Sequence, residues 1–465
     1  MEFQEQSERE ACRVIALGCN GTQVLLSMTE AGFVFPFVEI PRWQRTAESL
    51  TSAFKKDWGR NAVCLFTPKN SEPVGDSNGN HYEVVECSED EARKDETAWK
   101  LISSLTACSF RNEAEFGILQ ECLHELDGYE RDPSSPFAKK GWLATLQDWT
   151  ADAIGSIGLR LTGPWRHLNA GPAFSLIRFE TNRQAVWFKA VGEPNQREFP
   201  ITLQLAELFP KFMPQILATG PKWNGWLSCE VEGTNLGDTK DIALWEEAAT
   251  EFAKLQIEAI PSYESVLRSG AHDLRPETLV ASIDPFFDVI TELMEQQLRV
   301  PPPTLSQREL SLLKLRVHDS FTLLDGLQIP NALGHLDLNP WNIIISSDRC
   351  AFLDWAEAYV GPPFFSFEYL LQHFRREICA DAALESQFLQ AYMAPWRQLL
   401  AEGLLGEALA LAPLAAVFAY AVGTSARKDM GKLRDPETSA YFRSLARRMN
   451  REAIQVVERR PACTS

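Results

Sequence analysis

The alternation of apolar and polar positions changes character near the middle of the chain. In the first half, short apolar runs separated by turn residues predict a hairpin over 13–28 and strands over 62–66 and 81–87. The segment 88–105 starts with a serine and several acidic residues before it turns apolar, which predicts a helix. We therefore expect a small α+β domain over residues 1–126.

A linker and a second group of strands follow this first domain. Residues 127–159 begin rich in Pro, Gly and charge and end with apolar residues at helical spacing, which predicts a linker and a bridging helix. Apolar runs over 174–181 and 185–191 predict two strands joined by a polar turn. Residues 197–209 predict a helix, and residues 225–233 predict a further strand.

The second half of the chain has mostly helical periodicity, interrupted by a hairpin pattern within residues 333–356. Its most apolar stretch is 404–423. This stretch contains Glu407 and Pro413 and lacks aromatic and basic anchors on both sides. We therefore predict a buried helix pair there rather than a membrane span.

Composition narrows the class of protein. The 465 residues carry a net charge of −18 at pH 7, which argues against nonspecific binding to nucleic acid or to an anionic membrane and is compatible with a cationic ligand. The ten cysteines are scattered without a C-x-x-C pair and indicate neither a zinc site nor a disulfide framework. The N-terminus lacks the basic-then-apolar order of a signal peptide. We expect a cytoplasmic protein in a reducing compartment.

The candidate chemistry lies in residues 333–356, LGHLDLNPWNIIISSDRCAFLDWA. Asn342 opens the first predicted strand of a hairpin and Asp354 closes the second, so pairing of the strands brings the two residues close together. Amide and carboxylate oxygens are ligands suited to Mg²⁺, which binds few protein groups and shares its shell with substrate phosphates. Asp337, five residues before Asn342, is a candidate base for an attacking hydroxyl.

The spacing H-x-D-x-x-x-x-N with a later aspartate resembles the catalytic loop of protein kinases. It resembles more closely that of the aminoglycoside phosphotransferase and choline kinase-like family. The resemblance implies that Asp337 is the catalytic base, that Asn342 and Asp354 hold Mg²⁺, and that His335 is a structural hydrogen-bonding residue. Asp-Trp stands where protein kinases have Asp-Phe-Gly, and no Ala-Pro-Glu segment follows, so a protein kinase is disfavoured.

The resemblance extends over roughly residues 160–450 and implies an α+β, two-lobed protein-kinase-like fold. A small β-rich lobe would occupy residues 160–235. A larger, mostly helical lobe with the catalytic loop would occupy residues 236–460. The α+β domain of the N-terminal residues would precede both lobes.

Two upstream residues occur in the order expected for a kinase. Lys189 lies centrally in a predicted strand, and Glu198 follows nine residues later at the start of a helix. By resemblance, Lys189 binds the nucleotide phosphates and Glu198 orients it. The turn before this strand contains Gly171, whose backbone N–H groups could approach a phosphate, and Ser175 is a lesser candidate there.

The strand ending near Gly233 matches the hinge between the lobes. Backbone atoms of Glu230 and Val231 would contact the adenine there by resemblance. Downstream of the metal-binding aspartate, Glu357 is interpreted as a structural residue.

The N-terminal domain faintly resembles a Nudix domain, with a hairpin followed by the stretch 33–59. When the last glycine of the Nudix box is set on Gly59, its acidic positions are occupied largely by residues that cannot bind metal; the residues at the box positions are Gln44, Ser52, Ala53, Lys56 and Asp57. Hydrolysis is therefore not expected, and the domain is predicted to bind, regulate or dimerise.

The sequence thus predicts an ATP-dependent, Mg²⁺-requiring phosphotransferase. It would move the γ-phosphoryl group of ATP to a hydroxyl of a small metabolite or antibiotic-like acceptor, cationic acceptors included. The alternative is a nucleotide-binding pseudokinase or regulatory module without turnover. Neither nucleic acid nor a membrane is expected as a partner.

Overall fold

The computed structural model describes residues 9–18, 21–41, 46–69, 81–87, 97–298, 300–378, 381–423 and 435–459. The chain divides into two compact units. Unit 1 comprises residues 1–199 and 216–230, and unit 2 comprises residues 200–215 and 231–465. The predicted boundaries near residues 126 and 160 therefore do not coincide with a division between compact units.

The first sheet of unit 1 is mixed and has seven strands, which are β1 (Arg9–Gly18), β2 (Gln23–Thr29), β3 (Gly32–Val34), β4 (Phe37–Pro41), β5 (Ala62–Phe66), β6 (His81–Cys87) and β7 (Thr97–Leu101). The strand order is β3-β2-β1-β6-β5, with β4 paired to β1 and β7 to β2. Helix α1 (Thr46–Trp58) carries the residues set against the Nudix box, except for Gln44, which lies outside the described residues. The predicted hairpin forms, since β1 and β2 are antiparallel with Leu17 opposite Val24.

The helix predicted over 88–105 is wrong in its described part. Thr97–Leu101 is strand β7, which pairs antiparallel with β2 and places Trp99 opposite Leu25. Tertiary pairing with a strand overrides the local helical pattern, because β7 satisfies its backbone groups on β2. Residues 88–96 lie outside the described residues.

Two helices connect the first sheet to the second, namely α2 (Glu113–Arg131) and α3 (Trp142–Gly155). Helix α2 was not predicted, although Asn112 caps its start by accepting a hydrogen bond from the Ala114 amide at 3.1 Å. The predicted linker therefore begins inside a helix. The predicted bridging helix is present as α3.

The second sheet of unit 1 is antiparallel and five-stranded, formed by β8 (Leu161–Gly171), β9 (Phe174–Thr181), β10 (Val186–Ala190), β11 (Ile216–Gly220) and β12 (Gly225–Cys229) in the order β11-β12-β10-β9-β8. The predicted strands over 174–181 and 185–191 are confirmed as β9 and β10. The predicted helix over 197–209 is α4 (Glu198–Leu208). One hydrophobic core contains buried side chains from both sheets, including Ile15 and Phe188.

Unit 2 is mainly helical, with α5 (Ile242–Ala259), α6 (Tyr263–Arg268), α7 (Pro276–Ala281), α8 (Ile283–Glu295), α9 (Gln307–Gly326), α10 (Phe364–Glu377), α11 (Ala382–Trp396), α12 (Glu402–Gly423) and α13 (Pro436–Arg459). Two small sheets lie among these helices. Their strands are β13 (Thr234–Asn235), β14 (His272–Asp273), β15 (Ala332–His335), β16 (Ile343–Ile345), β17 (Cys350–Phe352) and β18 (Ala358–Gly361), in the orders β13-β16-β17 and β14-β18-β15.

The apolar stretch 404–423 belongs to one helix, so the predicted helix pair is wrong. Helix α12 continues through Pro413. It is long and apolar enough to cross a membrane, yet 72% of its most apolar window is buried inside the protein. Packing on several sides stabilises a helix that contains a proline, although proline lowers intrinsic helix propensity.

The architecture is α+β, with the β-rich and helical parts of a two-lobed protein-kinase-like fold. The antiparallel sheet β8–β12 corresponds to the small lobe, whereas helix α4 belongs to unit 2 except for its first two residues. The helical unit with its short hairpin corresponds to the large lobe. The N-terminal residues form a sheet that shares a core with the small lobe.

Candidate active site

The predicted hairpin of the catalytic segment is present in unit 2. Strands β16 and β17 pair antiparallel, with Ile343 opposite Phe352. The Leu353 amide donates to the Asn342 carbonyl at 2.8 Å, one step beyond that pair. This bond places Asn342 beside the residue that precedes Asp354. The hairpin therefore brings the two candidate metal-binding residues to one end.

The amide group of Asn342 has a fixed orientation. Its Nδ2 donates to the backbone carbonyl of Asp337 at 3.1 Å, which leaves Oδ1 as its possible cation ligand. The Asn339 side chain stabilises the turn that leads into Asn342. Its Oδ1 accepts hydrogen bonds from the backbone amides of Trp341 and Asn342 at 3.0 and 3.2 Å. The loop is thus ordered by its own hydrogen bonds.

Asp354 adopts a backbone conformation that is rare for residues with a β-carbon. Its φ of 63° and ψ of 59° lie in the left-handed region, which costs roughly 1–2 kcal/mol for a residue other than glycine. Such strained positions concentrate at functional sites because the surrounding structure must hold them in place. The carboxylate of Asp354 and the amide oxygen of Asn342 are hard oxygen donors of the kind that Mg²⁺ prefers.

The donor set fits Mg²⁺ shared with a nucleotide rather than a cage built by protein alone. Among the described residues there is no group of three or more His, Cys, Asp or Glu side chains that could hold a metal. Mg²⁺ commonly uses one or two protein ligands and completes its shell with water and phosphate oxygens. Asn342 and Asp354 match that pattern.

The carboxylate of Asp337 has one occupied and one open oxygen. Oδ1 accepts hydrogen bonds from the Tyr369 hydroxyl at 3.1 Å and from Asn339 Nδ2 at 3.2 Å. Oδ2 accepts no hydrogen bond from the residues that the structure describes. The two donors fix the plane of the carboxylate, so Oδ2 is the oxygen available to a substrate hydroxyl.

His335 connects the catalytic loop to the hairpin. The ring is fully buried, its Nδ1 accepts from the Asp337 amide at 3.1 Å, and its Nε2 lies 3.0 Å from the Leu353 carbonyl. Since a carbonyl can only accept, Nε2 carries the proton and donates. Burial lowers the pKa of His335, and an Nδ1 that accepts a hydrogen bond belongs to a neutral ring. This is the structural hydrogen-bonding role inferred from the sequence.

Glu357 is also anchored close to this loop. Its carbonyl accepts from the Leu336 amide at 3.0 Å, and its Oε2 lies 3.3 Å from His272 Nε2. These contacts agree with the structural interpretation of Glu357.

Lys189 and Glu198 form an ion pair inside unit 1. Lys189 Nζ lies 2.5 Å from Glu198 Oε1, and Glu198 is 1% exposed. Lys189 stands in the central strand β10, opposite Leu176 on β9 and Trp226 on β12. The structure therefore brings together the two residues that were paired by resemblance. Burial of Glu198 makes the pair a fixed one, because an unpaired carboxylate there would be costly.

Ser175 is not placed to bind a phosphate, which corrects the prediction. The residue is 1% exposed, and its hydroxyl lies 3.1 Å from Nε2 of the buried His167. His167 Nδ1 in turn accepts from the Cys64 amide at 3.4 Å. Ser175 is therefore part of a buried connection between the two sheets of unit 1.

The structure reduces the number of backbone groups at Glu230 and Val231 that could contact the adenine. The Glu230 amide donates to the Ala185 carbonyl at 3.1 Å and so is not free to bind adenine. The Glu230 carboxylate accepts from Arg178 Nε at 2.8 Å and Nη2 at 3.0 Å, and these hydrogen bonds lower its pKa. The chain passes from unit 1 to unit 2 between Glu230 and Val231. The Glu230 carbonyl and the Val231 backbone remain candidates for the adenine contact.

Sequence reasoning missed two residues that contact Asp337. Asn339 had a usable local signal, since Asn before Pro favours a turn with a capped first residue. Tyr369 lies 32 residues from Asp337 in sequence, on α10, and only the tertiary fold brings it to the carboxylate.

Comparisons with known proteins identify the family of the catalytic segment. Residues 284–401 match the model of the phosphotransferase enzyme family (APH). No curated protein matches the chain. No finding supports the Nudix resemblance of the first residues.

Solved structures similar to this chain include three phosphotransferases. A macrolide 2'-phosphotransferase from Brachybacterium faecium is 18% identical, with 62% of this chain and 98% of that chain covered and a TM-score of 0.40. Choline kinase from Cryptosporidium parvum is 11% identical, with 68% of this chain and 95% of that chain covered and a TM-score of 0.47. Ethanolamine kinase from Plasmodium vivax is 13% identical, with 72% of this chain and 93% of that chain covered and a TM-score of 0.44.

The matched segment 284–401 contains Asp337, Asn342, Asp354 and Tyr369. It therefore includes the whole catalytic hairpin and the residues that hold it. Residues 284–401 thus match the phosphotransferase enzyme family, and the resemblance inferred from the sequence is confirmed.

Proposed function

We propose that this protein is an ATP-dependent, Mg²⁺-requiring phosphotransferase that moves the γ-phosphoryl group of ATP to a hydroxyl of a small acceptor. The observation that carries the proposal is the catalytic loop, in which Asp337 has one oxygen held by two donors and the other oxygen open. A base for an attacking hydroxyl needs this combination of fixed orientation and free acceptor capacity.

The roles of the chain's own residues follow from their contacts. Asp337 Oδ2 accepts the hydroxyl hydrogen of the acceptor and orients its oxygen toward the γ-phosphorus. Lys189, held by Glu198, contributes positive charge to the nucleotide phosphates. Oδ1 of Asn342 and the carboxylate of Asp354 would hold Mg²⁺. When bound, that ion neutralises charge on the β- and γ-phosphates.

The proposal extends to the chemical class of the acceptor and to the cellular location of the protein. We take the acceptor to be a small hydroxyl-bearing molecule, cationic ones included, and the net charge of −18 disfavours a nucleic-acid partner. The seven cysteines among the described residues form no disulfide, which supports the proposed cytoplasmic location.

The first test separates chemistry from nucleotide binding. Asp337→Asn should retain Mg²⁺-dependent ATP binding and lose phosphoryl transfer by a factor of about 10²–10⁴, the range of general base catalysis. Asp354→Ala should lose Mg²⁺-dependent ATP binding. Calorimetry with ATP and Mg²⁺, followed by turnover assays on a panel of hydroxyl compounds, measures both properties.

Asp348→Asn is the matched control, because Asp348 lies in the turn of the same hairpin and bonds to Ser346. This variant should leave both ATP binding and phosphoryl transfer unchanged. Full turnover by Asp337→Asn would refute the role of Asp337. ATP binding without turnover on any acceptor would favour a pseudokinase instead.

A further inference from the structure

A cavity of about 430 Å³ lies within unit 1, between the first sheet and the tip of the β8–β9 hairpin. Strands β5 and β6 and helices α1 and α2 form one side of it, and residues 169–172 with Phe174 form the other. Its volume falls in the range of small-molecule sites. Of the residues that line it, Gly171 was named above as a candidate for a phosphate contact, and the candidate active site uses none of the others.

The largely buried carboxylate of Glu83 lines the cavity. Glu83 is 5% exposed, and its Oε1 accepts from the Thr67 hydroxyl at 2.7 Å and lies 2.9 Å from His81 Nε2. Its Oε2 accepts no hydrogen bond from any residue that the structure describes. A carboxylate oxygen on a cavity wall that receives no donor from the protein can accept a hydrogen bond from a ligand or from water.

The other walls indicate which kind of donor fits. Phe66 and Tyr129 line the cavity with ring centroids 4.9 Å apart, and Phe174 adds a third aromatic side chain. Aromatic faces together with a carboxylate attract organic ammonium ions through cation–π and charge-assisted contacts. Glu83 disfavours an anion, and His81, 2.9 Å from its Oε1, offsets part of that charge when protonated. A divalent metal would find a single carboxylate, since no group of three potential ligands occurs among the described residues.

The hairpin tip that covers the cavity is tied to the first sheet and to the segment after α2. The Pro172 carbonyl accepts from the Phe137 amide at 3.1 Å. His167 connects β5 to β9, through the Cys64 amide on one side and the Ser175 hydroxyl on the other. A ligand in the cavity would therefore contact a hairpin that is already coupled to the cavity's opposite wall.

We propose that this cavity binds a small organic ammonium ion, with its charged group on Glu83 Oε2 and its apolar body against Phe66 and Tyr129. This binding does not rest on the proposed function.

The test is calorimetry on the full chain with two probes of similar shape, 2-phenylethylamine and 2-phenylethanol. We expect the amine to bind at least tenfold more tightly than the alcohol. Glu83→Gln, which keeps the shape and the bond with Thr67, should reduce amine affinity at least tenfold and leave alcohol affinity unchanged. Glu39→Gln is the matched control, because Glu39 is exposed on β4 of the same sheet and should bind the amine as the wild type does.

Two further variants separate this proposal from the proposed function. Amine binding should persist in Asp337→Asn and in Asp354→Ala, even if the phosphotransferase assignment fails. Phe174→Ala, a change at a partly exposed wall residue, should weaken both probes and gives a second readout if Glu83→Gln does not fold. The proposal is overturned if the wild type binds no amine, if Glu83→Gln binds it unchanged, or if Asp337→Asn alone removes binding.

Discussion

At the scale of single residues, the hydrogen bonds on Asp337 explain how one carboxylate can be both oriented and available. Tyr369 and Asn339 share Oδ1, and Oδ2 stays open. Burial and the charge of Asp337 raise the pKa of Tyr369, so its hydroxyl remains protonated and donates. Tyr369 is thus a positioning residue for the proposed base.

Removing the Tyr369 hydroxyl tests this role. A hydrogen bond to a charged group contributes about 1.5–3 kcal/mol, so Tyr369→Phe should lower kcat by roughly 10- to 100-fold with little change in the KM for ATP. Steady-state kinetics measures both constants. Tyr420→Phe is the control, because its ring stacks on Tyr369 at 6.4 Å and the part of the chain that the structure describes shows no contact with Asp337. Equal rates for the two variants would contradict the assignment.

At the scale of secondary-structure elements, predictability depends on how local the interactions are. The β16–β17 hairpin with Asn342 and Asp354 could be predicted because strand, turn and ligand positions lie within two dozen residues. Strand β7 could not, because its partner β2 lies far away in sequence and overrides a helical pattern. Ser175 was misassigned for the same reason, since its partner His167 is itself hydrogen-bonded to Cys64, which lies 103 residues from His167 in sequence.

The buried connection through His167 predicts a pH dependence of stability. Burial lowers the pKa of His167 to about 3, whereas an unfolded histidine has a pKa near 6.5. Below pH 6.5 the unfolded state therefore binds more protons, and the free energy of unfolding falls as the pH is lowered toward 3. At pH 5 the loss attributable to His167 is about 2 kcal/mol.

His167→Gln keeps a donor and an acceptor but does not titrate, so it should lose less stability between pH 7 and pH 5 than the wild type. Urea unfolding at the two pH values measures the difference. His318→Gln serves as the comparison, because His318 is exposed on α9 and should leave the wild-type pH dependence in place. An identical pH dependence in His167→Gln would show that His167 is protonated in the folded protein.

At the scale of the whole molecule, the main departure from the predicted organisation is the shared core of unit 1. Side chains of the N-terminal sheet and of the β8–β12 sheet form one hydrophobic cluster. Phe137 is 1% exposed within it, with its ring 5.1 Å from Trp142 and 6.1 Å from Phe188. Local patterns marked two domains here, because burial between distant segments leaves no periodic signal in either segment.

A substitution in this shared core distinguishes one cooperative unit from two domains. Phe137→Ala should destabilise unit 1 by about 3–5 kcal/mol, the usual cost of removing a buried phenylalanine side chain. Because the core is continuous, amide exchange should increase together in β1, β6, β9 and β10, as hydrogen–deuterium exchange with mass spectrometry would measure. Phe37→Ala is the control, since Phe37 is 51% exposed on β4. If exchange rose in only one of the two sheets, the N-terminal residues would form a separate cooperative domain, and the predicted boundaries near residues 126 and 160 would regain their support.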